Sequence, residues 1–414
     1  MRLPHLGPIA RNSISTMLVY VVRLGVQVAL LLLVARYLGP EQYGQFAGIA
    51  ALAFALGTLS SFGMGFLVLG ESAKSPDAGA AVLARAVPAT ILAAALLGPL
   101  YLWLAVHVLD SGAGLLIISL IGLSELLLVP ILGLLAHRLH GLGMIARSQA
   151  LALWPMVLRL TGLLLALTLL TDRSLQIYAW VHLVGSATAL AVAWRLSRRH
   201  GQFLRTLHHP ELAEIRRGTR HAVMNFTAIT PGELDKAIAL RLLGAADTGL
   251  YALASRGMAV VTLPVIAMLL AALPRMIREL QGGEKNSGRL LRLVIGIAGF
   301  YGLAAAAVLY LFAPPALEWA LAAEYAGIGN VVQKIALIAP FISVRIATGT
   351  VLFALDRPLS RSAIEGGAVV AMLALALFLV PRLGLAGLVW AVLISEAMMA
   401  IVGSLILKKY SGLH

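Results

Sequence analysis

The chain has no cysteine, which excludes disulfides and thiolate metal sites. Charge is scarce as well. Only 12% of residues are Asp, Glu, Lys or Arg, where a soluble protein carries roughly a quarter. Acids are the scarcest, 18 against 32 Lys plus Arg, for a formal net charge of +14. No DxD, nucleophile elbow, P-loop or HExxH occurs, so the usual marks of glycosyl transfer, acyl transfer, ATP use and zinc hydrolysis are missing. No long hydrophilic segment offers room for a catalytic domain. What fills the 414 residues is apolar: 60% are hydrophobic and the mean hydropathy is +0.92. So much apolar surface cannot be wrapped by so few charges, and the chain belongs in a bilayer.

A membrane-spanning helix needs about 20 apolar residues. Twelve such runs are present, at roughly 15–36, 44–69, 80–106, 113–136, 146–170, 175–195, 219–242, 248–273, 290–313, 328–355, 362–381 and 384–407. They are too long and too evenly apolar for barrel strands. The opening "MRLPHLGPIARNSIS" leads into the first run and reads as part of a first span, not a cleaved signal. With the N-terminus in the cytoplasm, 22 basic residues fall in cytoplasmic segments and 4 outside, the other 6 lying inside spans. That bias predicts both termini in the cytoplasm. It also accounts for the basic character without nucleic acid.

"RYLGPEQYGQFA", from Arg36, returns as "RLLGAADTGLYA" from Arg241, with five of twelve positions identical. Each phrase lies where the first helix of a six-helix half turns into the second. The expected architecture is all-α, with about 12 transmembrane helices in two parallel six-helix repeats around a central cavity. The expected divisions are residues 1–196, a cytoplasmic basic linker at 197–218, and 219–414. The linker's basic residues suit anionic lipid. Its His208–His209 pair, without further ligands, is a weak metal signal.

"LGPEQYGQFA" after a first span, with "LDKAIALRLLGAADTGLYALASR" opening a second half, resembles the polysaccharide transporter, or Wzx-type oligosaccharide flippase, family. That family sits in the superfamily of lipid II flippases and multidrug extruders. The resemblance implies alternating access and no cofactor. It also implies a polyprenyl-pyrophosphate-linked glycan as substrate. The setting would be a bacterial or archaeal cytoplasmic membrane, with membrane lipids and other polysaccharide-assembly proteins as partners.

Charges inside spans are costly, about 2.5–3.5 kcal/mol for an Arg or Lys at mid-membrane, and usually face the bundle interior. Thr16, Tyr20, Arg23 and Gln27 form one polar stripe on the first helix. The seventh span carries Asn225, Glu233, Asp235 and Lys236 about Pro231-Gly232, a sequence that breaks a helix. Glu233 and Lys236 are spaced for a local ion pair. Arg256 opens the eighth span, and the lipid II flippases, as a resembling family, place essential arginines on the first and eighth helices. Arg159 and Arg345 are near mid-span, where they either line the cavity or pair with Glu125 or Glu396. Arginine's planar fork suits phosphate oxygens. The candidate substrate-binding set is therefore Arg23, Arg256, Arg159, Arg345, Lys236, Tyr20, Gln27 and Asn225. Asp235, Glu125 and Glu396 are the candidates for coupling transport to a proton or sodium ion. Two other readings compete: a drug or cation antiporter of the same superfamily, and a membrane-embedded polymerase or ligase. The first wants an acidic cavity. The second wants a sizeable catalytic loop, and the largest outer segment, near 314–327, is small.

Overall fold

The computed structural model describes residues 8–198, 208–209, 211–281, 287–321 and 323–410, and all its regular elements among them are helical. The first helix, α1 (Pro8–Ser60), is interrupted at Gly39, whose φ of 69° and ψ of 170° are not helical. Glycine takes a positive φ at little cost, and Pro40 is preset to start the next helix. Two spans therefore meet inside α1. After a turn at Phe62 and Gly63, α2 (Met64–Lys74) completes the second span. The third is α3 (Pro76–Trp103), continued by a π-turn at Leu104–Val108. The fourth is α4 (Leu115–Leu123), a π-turn at Ser124–Leu128 and α5 (Val129–Gly141). α6 (Ile145–Leu169) and α7 (Leu175–Arg198) are the fifth and sixth.

The seventh span is broken into α8 (Leu212–Ile229), a 3-10 turn at Thr230–Gly232, and α9 (Leu234–Leu243). The eighth and ninth are α10 (Ala245–Gln281) and α11 (Ser287–Ala320). The tenth is α12 (Ile328–Ala336) with α13 (Ala339–Ala354), bent by 44°. α14 (Pro358–Leu383) and α15 (Leu385–Tyr410) finish the set. Three of the span prolines thus mark breaks: Pro130 follows a π-turn, Pro231 lies in the 3-10 turn and Pro340 stands at the 44° bend.

By length and apolarity alone, nine helices among the described residues suffice to cross a membrane, or ten with the bent pair. The expected twelve exceed that figure for two reasons. α1 holds two spans divided at Gly39. α8 is too polar to pass, carrying Glu214, Arg216, Arg217 and Arg220. Large apolar side chains are widely exposed, Phe300 at 76% and Phe312 at 66% among them. Water would not tolerate that much contiguous apolar surface, and lipid does.

The chain forms two compact units. The first takes the chain up to Leu38 and Ile49–Phe226, and the second takes Gly39–Gly48 and the chain from Thr227 onward. The first has a core about Met64, Leu83, Val87, Leu134 and Leu135. The second has one about Val265, Leu269, Ala298, Val351 and Leu407. The sequence put the start of the second half at 219, but α8 packs with the first unit as far as Phe226. Arg85 Nε and Nη2 grip both oxygens of Glu214 at 2.8 and 2.6 Å. Phe66 stacks on His221 with ring centroids 5.1 Å apart. A Cβ on Gly63 would run into the Gly218 carbonyl. Of the linker, 199–207 and 210 lie outside the described residues.

The repeated phrases meet each other inside the second unit. A Cβ on Gly44 would strike the carbonyl oxygen of Ala245, and one on Gly249 would strike that of Pro40. Gly44 and Gly249 hold the same place in the two phrases, as do Pro40 and Ala245. The contact is reciprocal, which is the mark of a two-fold relation.

Candidate functional site

On α1, Arg23 is half-buried and makes a single hydrogen bond among the described residues, from Nη1 to Gln149 Oε1 of α6 at 3.3 Å. Gln27, one turn on, is half-buried too. The side chains of Thr16 and Tyr20, the other members of that stripe, lie outside those described. Arg23 is thus a guanidinium facing a neutral amide.

The other four cations face acids. Arg159 on α6 gives Nη2 to Glu125 Oε1 at 2.9 Å, to Ser186 Oγ at 2.7 Å and to Ser124 Oγ at 3.2 Å. His182 Nε2 lies 2.8 Å from the same Glu125 oxygen, and Ser124 and Ser186 are bonded to each other at 2.7 Å. Glu125 is 7% exposed and His182 2%. The π-turn at Ser124–Leu128 delivers both Ser124 and Glu125, and such turns recur where a side chain must be re-aimed. Gly57 lets the second span approach this turn, since a Cβ there would meet the Glu125 carbonyl. Three spans of the first unit therefore converge on one buried carboxylate, and a fourth packs against its backbone.

In the second unit, the break at Thr230–Gly232 exposes a local carbonyl that Lys236 Nζ takes up, that of Gly232. Lys236 also meets Asp235 Oδ1 at 3.1 Å and Glu233 Oε2 at 3.8 Å. Tyr251 donates to Asp235 Oδ2 at 2.6 Å. Arg256 of α10 grips Glu233 with both Nη atoms, at 3.2 and 3.0 Å. The i,i+3 spacing of Glu233 and Lys236 does bring them together, yet Glu233's closer partner is Arg256, from another helix. The 3-10 turn resets the helical phase between Asn225 on α8 and Lys236 on α9. Farther along, Arg345 Nε meets Glu396 Oε2 at 2.6 Å, while Arg361 Nε meets Glu365 Oε1 at 2.9 Å.

The three coupling candidates, Glu125, Asp235 and Glu396, are thus the acids that neutralise Arg159, Lys236 and Arg345. Sequence spacing did not assign these partners. It also passed over His182, Arg361 and Glu365. Their only signal is a polar residue within an apolar run, and Arg361 and Glu365 at an i,i+4 spacing.

Residues 9–279 match a family model described as "Polysaccharide biosynthesis protein". Among solved structures, the chain is similar to an inward-facing multidrug resistance MATE transporter of the MOP superfamily, with a TM-score of 0.78, 15% identity, and 94% of this chain and 95% of that one covered. It is similar to the MATE multidrug transporter DinF-BH at TM-score 0.68 and 16% identity, covering 99% and 98%. A third likeness, at TM-score 0.62 and 18% identity over 98% and 95%, is to a MOP superfamily transporter from Pyrococcus furiosus that is described as having a binding pocket of reversed polarity. At these identities the likeness shows the fold. Among curated proteins no sequence matches.

Proposed function

The chain belongs to the polysaccharide biosynthesis protein family, and from that premise we propose that it is a flippase. Its substrate in this reading is an oligosaccharide on a polyprenyl pyrophosphate, carried across a bacterial or archaeal cytoplasmic membrane by alternating access. The family match carries the reading, since it covers well over half of the chain. The chemistry agrees with it. A pyrophosphate does not cross hydrocarbon bare, and cations at membrane depth supply what it needs. The multidrug relatives share this fold at identities that bring no substrate with them.

Arg23 and Arg256 are the residues proposed to bind the pyrophosphate. Arg23 is the stronger, because it has no acid to satisfy it among the described residues. Arg256 must share its fork with Glu233, and at 35% side-chain exposure it has room to do so. The test is a flipping or complementation assay on well-expressed Arg23→Ala, Arg23→Lys, Arg256→Ala and Arg256→Lys variants. The expected loss is roughly 10-fold to 100-fold for each alanine, with lysine a partial substitute because it cannot present a planar fork. Normal flipping by both alanine variants would refute the site. Loss that tracks only lost protein would make the arginines structural.

The orientation is part of the proposal. Reporter fusions are expected to place both termini and the 197–218 loop in the cytoplasm, and an outside signal from that loop would overturn it. Coupling is proposed to run through protonation of Glu125, Asp235 or Glu396. Each already faces a base within about 3 Å, a poor setting for a sodium ion, whereas a proton would release that base from its partner. Full gradient dependence in Glu125→Gln, Asp235→Asn and Glu396→Gln alike would end this assignment.

A further inference from the structure

The topology of the sequence makes Arg361 a loop charge that fixes orientation. In the structure it stands in the first turn of α14 and, together with Arg345, lines a shallow cleft in the second unit. Thr348 and Gly349 of α13, Glu365 of α14 and Gly403 of α15 also line it.

The two guanidiniums are held in the same way. Arg345 touches Glu396 through Nε, and Arg361 touches Glu365 through Nε. Neither makes another hydrogen bond among the described residues, so the Nη groups of both are unspent. Two other arginines spend two nitrogens on their acids: Arg85 places Nε and Nη2 on both oxygens of Glu214, and Arg256 places both Nη atoms on Glu233. Arg159 spreads Nη2 over three oxygens, while its buried Nε has no hydrogen-bond partner among the described residues. At 15% and 24% side-chain exposure, the two guanidiniums keep their unspent Nη donors accessible at one cleft. Their carboxylates are well fixed. Glu396 and Glu365 are each 3% exposed, and Thr227 also donates to Glu365 at 3.4 Å. The anchors therefore aim the guanidiniums rather than consume them. Small residues keep the cleft open: a Cβ on Gly349 would stand 3.2 Å from Arg361 Nε, and one on Gly403 would stand 2.7 Å from Thr348 Oγ1.

We propose that Arg345 and Arg361 together bind a phosphate group in this cleft, supplied by an anionic lipid headgroup or by a phosphorylated isoprenoid carrier. The two arginines and their two carboxylates sum to no net charge. Recognition therefore comes from directional donors matched to tetrahedral oxygens, not from a bulk field. The inference stands apart from the flippase reading, because a structural lipid would use the same cleft.

The test is native mass spectrometry on the full chain in detergent, with three probes added in turn. These are phosphatidylglycerol, geranylgeranyl pyrophosphate, and diacylglycerol as the chain-matched lipid without phosphate. Wild-type protein is expected to retain at least one phosphorylated probe in preference to diacylglycerol. Arg361→Lys, which keeps the charge, and Gly349→Ala, which keeps both arginines and crowds Arg361, are each expected to weaken that retention roughly tenfold. Melting temperature checks that each variant is folded, and Gly349→Ala serves alone if Arg361→Lys does not fold. Retention of phosphatidylglycerol alone identifies a headgroup site. Retention of the pyrophosphate alone identifies a carrier site, and retention of both identifies the phosphate itself. A wild type that holds neither phosphorylated probe better than diacylglycerol overturns the proposal. So does retention at wild-type strength by the folded variants.

Discussion

Arg159→Met is expected to destabilise the first unit by about 3–5 kcal/mol, the loss usual when one member of a buried ion pair is removed. The carboxylate left behind is Glu125, only 7% exposed. Its remaining strong partner would be His182 at 2.8 Å, and Ser124 and Ser186 would lose the donor they share. A bilayer offers no water to repair the site. The double variant Arg159→Met, Glu125→Leu is expected to regain most of the loss, because an apolar pair of similar volume removes both the charge and its desolvation cost. An exposed pair is the control. Lys74 and Glu71 are 72% and 37% exposed, and Glu71→Gln is expected to change stability by less than about 1 kcal/mol. Thermal unfolding of purified protein in one detergent reads all three. A single variant that melts like the parent would show that the network is not holding these helices. The same measurement bears on coupling: a stable Glu125→Gln with altered gradient dependence separates a transport role from a structural one.

Much of this fold was readable before any coordinates, and the reasons are local. An apolar run of span length reports itself, because hydrocarbon demands about 20 residues of it. Pro231-Gly232 announced a break, and a 3-10 turn stands there between α8 and α9. Pro340, another proline within a span, stands at the 44° bend. The candidate site was only half legible. The polar stripe through Arg23 is an angular pattern on one helix and needs no partner to be seen. The pairing of Arg159 with Glu125, or of Arg345 with Glu396, joins residues 34 and 51 positions apart. No periodicity encodes such a match. Glu214 with Arg85 is the extreme case, 129 positions apart. There a residue read as part of a cytoplasmic basic linker is 8% exposed and clamped by an arginine counted among the cytoplasmic charges. The end of the first unit at Phe226 follows from that clamp and from the close pass of Gly63 by Gly218. It was hidden because the linker's composition looks the same whether or not it docks.

Gly44→Ala and Gly249→Ala are each expected to cost about 3 kcal/mol or more, at the upper end of overpacking effects, because the obstacle is backbone rather than a side chain that can swing away. The added methyl at Gly44 would meet the carbonyl of Ala245, and that at Gly249 would meet the carbonyl of Pro40. Relief requires the start of α10 to separate from the segment that follows Gly39, the two places where the repeated phrases turn. Gly39 and Gly244 fix those turns at φ 69° and 82°, conformations that an alanine reaches only with strain. The phrase "RYLGPEQYGQFA" and its echo "RLLGAADTGLYA" therefore keep glycine in the same two places for two reasons: one makes the turn, and the other admits the partner's backbone. Gly367→Ala supplies the contrast. Gly367 lies within α14 with open space where its Cβ would be, so alanine is expected to be neutral or to stabilise by up to about 1 kcal/mol through helix propensity. Yield of monodisperse protein and melting temperature together decide the matter. Gly249→Ala that accumulates and melts like Gly367→Ala would mean that the two phrases do not pack as described. Loss in Gly44→Ala and Gly249→Ala alike, with Gly367→Ala intact, would tie the sequence repeat to a reciprocal backbone contact rather than to substrate.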